Sequence, residues 1–87
     1  CLTLWLSNLM LKGRDIDLEI EELISALNSK RENLWVFVVS NEVGMGIVPE
    51  NKMARQFRDV AGMLNQKMAQ IADEVYFLVS GMPLKIK

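Results

Sequence analysis

The 87-residue sequence contains no histidine and one cysteine, and its formal net charge is only −1. Without histidine, these residues hold neither an imidazole base nor a histidine metal ligand, and the single Cys1 cannot form an internal disulfide or a zinc cluster. The ten basic and eleven acidic residues are interspersed, whereas a nucleic-acid-binding surface needs clustered lysine and arginine. We therefore expect no nucleic-acid partner and no metal site, and cysteine usage makes the cytoplasm the default compartment.

Long hydrophobic runs are also absent. The apolar opening CLTLWLSNLML has about 11 residues, whereas a membrane-spanning helix needs about 20, so no membrane span is expected. This opening also lacks the basic leader and small-residue cleavage site of a signal peptide, and we expect it to be a core element. Because the sequence begins with cysteine inside an apolar run, we expect it to be the remainder of a longer polypeptide.

Apolar residues that recur every three or four positions predict three amphipathic helices. The first covers Leu2–Leu11, the second runs from Ile16 to about Asn28, and the third runs from about Pro49 to Ala72. The apolar stripe of the third helix consists of Met53, Phe57, Val60, Leu64, Met68 and Ile71. Its methionines fit core filling better than a promiscuous binding groove. Gly62, inside this helix, predicts close packing against another element.

Acidic residues cluster early in the second helix, at Asp17, Glu19, Glu21 and Glu22. Several carboxylates within six residues could suggest a metal site. A solvated helix face near the positive end of the helix dipole is the better interpretation.

Two apolar segments predict buried strands. LWVFVV, Leu34–Val39, is apolar on both faces, which is typical of a central parallel strand, and EVYFLV, Glu74–Val79, has the same character. With the long helix between them, the two strands would form a right-handed βαβ unit. A turn at Gly81 and Pro83 would then lead to a short edge strand, Leu84–Lys87. The expected fold class is α/β.

The loop Ser40–Asn51, with the sequence SNEVGMGIVPEN, follows the first predicted strand and is the candidate site. Ligands of open parallel sheets bind beyond the carboxyl ends of the strands, where such loops lie. The candidate nucleotide- or corrinoid-binding residues belong to this loop and to the start of the next helix: Asn41, Glu42, Gly44, Gly46, Glu50, Asn51, Arg55 and Arg58.

Each of these residues also has a structural interpretation. Gly44 and Gly46 permit a positive φ or a close backbone approach, and Pro49 and Glu50 suit the first turn of a helix. These features fit a rigid strand-to-helix turn as well as a binding loop. Glu42 can orient a ligand hydroxyl or bond backbone amides of its own loop.

The two arginines can serve a ligand or the helix surface. A guanidinium is suited to a phosphate fork, and Arg55 and Arg58 lie in the first turns of the helix. They could equally form surface ion pairs with Glu50 and Asp59. Farther along, Asn65 and the next residue, a glutamine, could cap a ligand or face water.

The run from Val38 to Lys87, which includes NEVGMGIVPEN, resembles the carboxyl-terminal half of the bifunctional adenosylcobinamide kinase and adenosylcobinamide-phosphate guanylyltransferase of cobalamin biosynthesis. The opening CLTLWLSN resembles the segment that follows the second sheet strand in that family. The resemblance covers almost the whole chain, and Asp15–Asn33 is its least distinctive part. It implies a P-loop NTPase (RecA-like) parallel sheet flanked by helices. Residues 1–87 would be the carboxyl-terminal part of a single α/β nucleotide-binding domain whose P-loop half is absent.

The resemblance also implies two reactions and an assembly. ATP or GTP with Mg²⁺ would phosphorylate the aminopropanol hydroxyl of adenosylcobinamide, and GMP from GTP would then be transferred through a guanylylated histidine to give adenosyl-GDP-cobinamide. The family is expected to form a homotrimer. This sequence has no P-loop motif and no histidine, so no catalytic residue is assigned to it and the fragment alone is expected to be inactive. In the family, an acidic residue just before the position of Cys1 contributes to nucleotide binding.

Two alternatives stay open. The chain could belong to another P-loop nucleotide enzyme that uses the same sheet edge, or it could be a non-catalytic βαβ interaction module. An upstream sequence with a P-loop and a histidine would favour the corrinoid enzyme. An intact mass with Cys1 as the true start would favour the interaction module.

Overall fold

A computed structural model describes all residues, Cys1–Lys87, as three helices followed by a β-hairpin. The elements in chain order are α1 (Leu2–Leu11), α2 (Ile16–Lys30), α3 (Lys52–Ile71), β1 (Tyr76–Val79) and β2 (Met82–Lys85). Helix α1 has the predicted bounds, and α2 begins as predicted and ends two residues later. The α/β character is therefore present, with most of the regular structure in the helices.

The three helices pack against one another around a small apolar cluster. Its buried members are Leu2, Leu6, Ile20, Ala61, Leu64 and Met68. The apolar stripes predicted for α2 and α3 face this cluster, with the exception of Met53, which is 67% exposed. Only seven of the 87 residues are buried, so the helices form a thin layer rather than a complete domain core.

The segment Leu34–Val39 is not a strand in this structure, and the prediction of a buried central strand is wrong for these residues. Trp35 is 91% exposed and Phe37 is 82% exposed, while their rings stack with centroids 6.4 Å apart. A central strand needs neighbours on both edges to bond its backbone, and residues 1–87 place none there. Two backbone bonds tie its ends to helices: the Leu34 amide donates to the Lys30 carbonyl at 3.1 Å, and the Leu2 amide donates to the Val39 carbonyl at 2.8 Å.

The second apolar segment pairs locally instead of joining a parallel sheet. β1 and β2 form a two-stranded antiparallel hairpin in which Tyr76 faces Lys85 and Val79 faces Met82. Ser80 and Gly81 turn the chain with φ of 52° and 74°, the left-handed values that a tight two-residue hairpin turn requires. The predicted βαβ unit is thus wrong, because β1 bonds its immediate successor. The predicted edge strand exists, but it starts earlier and includes Pro83.

Three acidic residues at and near the start of α2 make structural contacts. Asp15 caps the helix by accepting from the Leu18 amide at 3.2 Å. Glu19 pairs with Arg14 at 2.5 Å and Glu21 with Lys67 at 3.3 Å. No group of three or more acidic or cysteine side chains is placed to hold a metal ion. Nor does any helix combine the length and apolar character needed to cross a membrane.

Candidate functional site

The start of the loop Ser40–Asn51 is held between α1 and α3 by side chains of both helices. The Asn41 amide donates to Thr3 Oγ1 at 2.9 Å, and Asn65 Nδ2 donates to the Asn41 carbonyl at 3.1 Å. Ser40 Oγ donates to Asn65 Oδ1 at 2.6 Å. Both backbone polar groups of Asn41 are therefore satisfied by side chains from elements far away in sequence, which fixes where the loop begins.

Glu42 and Gly44 close the next turn of the loop. Glu42 Oε1 accepts from the Gly44 amide at 2.7 Å, which is the structural role that the sequence left open for this carboxylate. Gly44 does not have a positive φ. A Cβ at this position would lie 2.9 Å from Glu42 Oε1, so glycine permits a close approach here. Gly46 shows neither property, since its φ is not positive and no atom lies within 4 Å of a built Cβ.

Asn51 marks the start of α3. Its Oδ1 accepts from the amides of Met53 and Ala54, at 2.8 and 3.2 Å, so Asn51 is the N-cap. The predicted start at Pro49 is three residues too early, and Glu50 does not lie in the first helical turn. The reason is that asparagine satisfies two free helix amides from the cap position, which is among the most favourable N-cap arrangements.

The two arginines of α3 hold the loop through its carbonyls. Arg55 Nη1 donates to the carbonyls of Pro49, at 3.1 Å, and Glu50. Arg58 Nη2 donates to the Gly44 carbonyl at 2.6 Å. Neither arginine pairs with Glu50 or Asp59 carboxylates, because the four ion pairs of the structure involve other residues. The surface ion-pair interpretation is therefore wrong for both.

One atom at this site is left without a partner. Arg58 Nη1 is buried and makes no hydrogen bond, and no other buried side-chain nitrogen or oxygen atom shares this condition. An unpaired buried donor is costly, and more so when it carries charge.

The structure joins seven of the eight predicted residues through loop contacts: Asn41, Glu42, Gly44, Glu50, Asn51, Arg55 and Arg58. Asn41, Gly44 and Glu50 take part through backbone groups, and Gly46 makes no hydrogen bond. Thr3 was not identified from the sequence. Asn65 was identified only as a residue that could cap a ligand or face water. The spacing of Asn65 could have identified it as a site residue, because it lies seven residues after Arg58 and therefore on the same helix face.

The arrangement offers groups that can position a ligand. Its exposed loop offers carboxylate and backbone groups, and α3 offers two guanidinium groups. An apolar groove lies elsewhere, between the segment Val36–Val39 and the helices, with Leu2, Trp5, Leu23 and Leu27 in its walls. Ligand pockets usually combine apolar walls with a few polar groups. All the residues that line this groove are apolar, so it suits packing against further protein chain.

Comparison with known proteins gives a consistent result. The protein family described as "CobU: Cobinamide kinase / cobinamide phosphate guanyltransferase" matches residues 1–86. The bifunctional adenosylcobalamin biosynthesis protein CobU of Salmonella typhimurium is 57% identical over 74 residues, which is 85% of this chain and 40% of that protein. The protein of the same description from Escherichia coli is 53% identical over 72 residues, covering 83% of this chain and 39% of its own length.

A third relative extends the match to the whole chain. The bifunctional adenosylcobalamin biosynthesis protein CobP of Pseudomonas aeruginosa is 39% identical over 89 aligned positions, covering 100% of this chain and 50% of that protein. The chain thus spans only 39% to half of the length of these relatives.

Proposed function

The chain belongs to the cobinamide kinase / cobinamide phosphate guanyltransferase family, and from this premise we propose that it is the carboxyl-terminal part of an enzyme that carries out both reactions. The observation that carries the proposal is the family match over residues 1–86, together with relatives that are 53% and 57% identical over more than four-fifths of the chain. Identity at this level favours the corrinoid enzyme over a different P-loop enzyme and over a non-catalytic interaction module.

In the first proposed reaction, the aminopropanol hydroxyl of adenosylcobinamide attacks the terminal phosphorus of ATP or GTP, and the nucleoside diphosphate leaves. In the second, GMP from GTP is transferred to the new phosphate and pyrophosphate leaves. A guanylylated histidine and a P-loop with Mg²⁺ would serve these steps. Because this chain has no histidine and no P-loop motif, both would belong to the other part of the enzyme, and this chain by itself would be inactive.

In this proposal, the chain shapes the ligand site of the enzyme. The loop Ser40–Asn51 would face the nucleotide or the corrinoid, and α1 and α3 would hold it in place. The contacts of Asn41 with Thr3 and Asn65 support this role, because they fix the loop before any ligand arrives. Preorganised loops on a rigid scaffold are where binding groups are commonly placed.

The complete enzyme is proposed to have a RecA-like parallel sheet in which Leu34–Val39 is a strand. The exposed rings of Trp35 and Phe37 and the apolar groove beside Val36–Val39 support this, because both would be covered by neighbouring strands and helices. We also propose a homotrimer in the cytoplasm. Light scattering of the full-length protein at micromolar concentration should give a trimer mass, and a monomer mass would contradict it.

The activity is tested with the longer polypeptide that contains this chain. It should convert adenosylcobinamide and ATP into the phosphate ester, and with GTP it should form adenosyl-GDP-cobinamide and pyrophosphate, all identified by mass spectrometry. Inactive protein that nevertheless unfolds cooperatively would contradict the proposal. The 87-residue chain assayed alone should form neither product.

A further inference from the structure

We propose that Arg58 is an oxyanion-binding residue of this site and that its free Nη1 receives a phosphate oxygen of the ligand. The inference deepens the proposed function and rests on it, since it assigns the phosphate contact to one named atom. The starting observation is that Nη1 is buried without a partner, while Nη2 of the same guanidinium is engaged with the Gly44 carbonyl at 2.6 Å.

The first step is that Arg58 has no counter-ion within the chain. Its helical neighbour Asp59 makes no ion pair, and Glu42 directs Oε1 to the Gly44 amide at 2.7 Å. The only acceptor that Arg58 has is a neutral carbonyl. A guanidinium remains charged at every physiological pH, so Arg58 brings an uncompensated positive charge to the loop.

The second step is the contrast with Arg55, which lies one turn earlier on the same helix. Arg55 is exposed and donates from Nη1 to the two carbonyls of Pro49 and Glu50. Water can satisfy its remaining donors. Arg58 is less exposed and its Nη1 is shielded from water. Arg58 is therefore the arginine that gains more from an arriving acceptor, and Arg55 serves for comparison.

The third step is the chemical class of the acceptor. A guanidinium presents several donors in one plane and binds phosphate or carboxylate oxygens through charge-assisted hydrogen bonds. The loop residues Gly44–Val48 are exposed, so an oxyanion can approach the segment whose Gly44 carbonyl Arg58 holds. The oxyanion could be a phosphate of the nucleotide or of the corrinoid, or a carboxylate from the part of the enzyme outside this chain. We assign it to the ligand, because the arginine lies at the predicted ligand loop.

The experiment uses the full-length protein and four variants, Arg58→Lys, Arg58→Ala, Arg55→Lys and Arg55→Ala. Calorimetric titration with GTP and with inorganic phosphate gives the dissociation constants, and thermal melts without ligand report folding. Lysine keeps the charge but has one nitrogen in place of the planar fork of Nη1 and Nη2. Arg58→Lys should weaken binding by about tenfold and Arg58→Ala by up to about a hundredfold. The Arg55 variants should weaken binding less than the matching Arg58 variants, because Arg55 already donates to two loop carbonyls. Ligand-free melting should change little in all four.

Three results would overturn the inference. Unchanged dissociation constants in both Arg58 variants would exclude a ligand contact. Equal losses of affinity in the Arg55 variants would show that binding depends on the positive charge of this region and not on a contact made by Arg58. A large drop in ligand-free melting temperature with Arg58→Lys as well as Arg58→Ala would show that Arg58 supports the fold of the loop rather than a ligand. These results differ from a failure of the proposed function, in which the wild-type protein would itself neither bind GTP nor form product.

Discussion

The hydroxyl of Ser40 and the side-chain amide oxygen of Asn65 lie 2.6 Å apart, although 25 residues separate them in sequence. The same amide group donates to the Asn41 carbonyl. Asn65, in the middle of α3, therefore holds the beginning of the loop in place. The candidate site depends on this tertiary contact as much as on the loop sequence.

Replacing Asn65 with alanine should destabilise the full-length protein by about 1–2 kcal/mol, because two hydrogen bonds are lost at partly hydrated positions. Urea unfolding gives the free energy. Gln66→Ala is the matched control, since Gln66 is exposed and makes no side-chain hydrogen bond; it should change stability by less than about 0.5 kcal/mol. Equal effects of the two substitutions would contradict the role of Asn65.

The substitution Glu42→Gln separates the two roles of the Glu42 carboxylate. The glutamine oxygen can still accept from the Gly44 amide, so the melting temperature should change little. If the carboxylate orients a ligand, turnover should fall or the Michaelis constant should rise in at least one of the two reactions. Wild-type kinetics in both reactions would remove Glu42 from the site and leave it as the acceptor that shapes the turn.

Gly62→Ala tests whether the outer face of α3 is covered in the complete protein. Gly62 was predicted to pack closely, but no atom lies within 4 Å of a Cβ built at this position. If that space stays open, alanine should stabilise the protein by about 1 kcal/mol, since glycine is the poorer helix former. A destabilisation of similar or larger size in the full-length protein would show that another element contacts this face.

The 87 residues made alone should aggregate or fold poorly, whereas the longer chain should be soluble. The reason is the exposed run Leu34–Val39, whose apolar side chains and unpaired backbone groups invite association between chains. Size-exclusion chromatography with thermal melts checks this. If Leu34–Val39 is a central strand of the complete enzyme, as proposed above, Val38→Asp should unfold the full-length protein, because burying an unpaired carboxylate costs several kcal/mol. A soluble 87-residue monomer with a cooperative melt would contradict the expectation.

The helices could be predicted closely from sequence because hydrophobic periodicity is a local property. Leu2–Leu11 matches to the residue, and α2 differs by two residues at its end. The start of α3 was placed too early because Pro49 and Glu50 resemble first-turn residues. Asn51 instead caps the helix, because its side-chain oxygen accepts from the free amides of the first turn.

The strands and the site contacts could not be predicted in the same way, because they depend on partners. Leu34–Val39 can be a strand only if other strands lie beside it. β1 pairs instead with β2, which follows it directly in sequence. The loop residues themselves were identified from glycine, proline and polar side chains. Thr3 and Asn65 were not assigned to the loop, because their partners lie 38 and 24 residues away.

The central claim is that the loop Ser40–Asn51 is a ligand-contacting part of the bifunctional enzyme. Amide hydrogen exchange of the full-length protein, with and without GTP and adenosylcobinamide phosphate, tests it most directly. Exchange at residues 40–51 should slow when a ligand is added, while α2, which makes no hydrogen bond to the loop, should stay unchanged. Ligand-induced protection elsewhere in the protein with no change at residues 40–51 would contradict the claim.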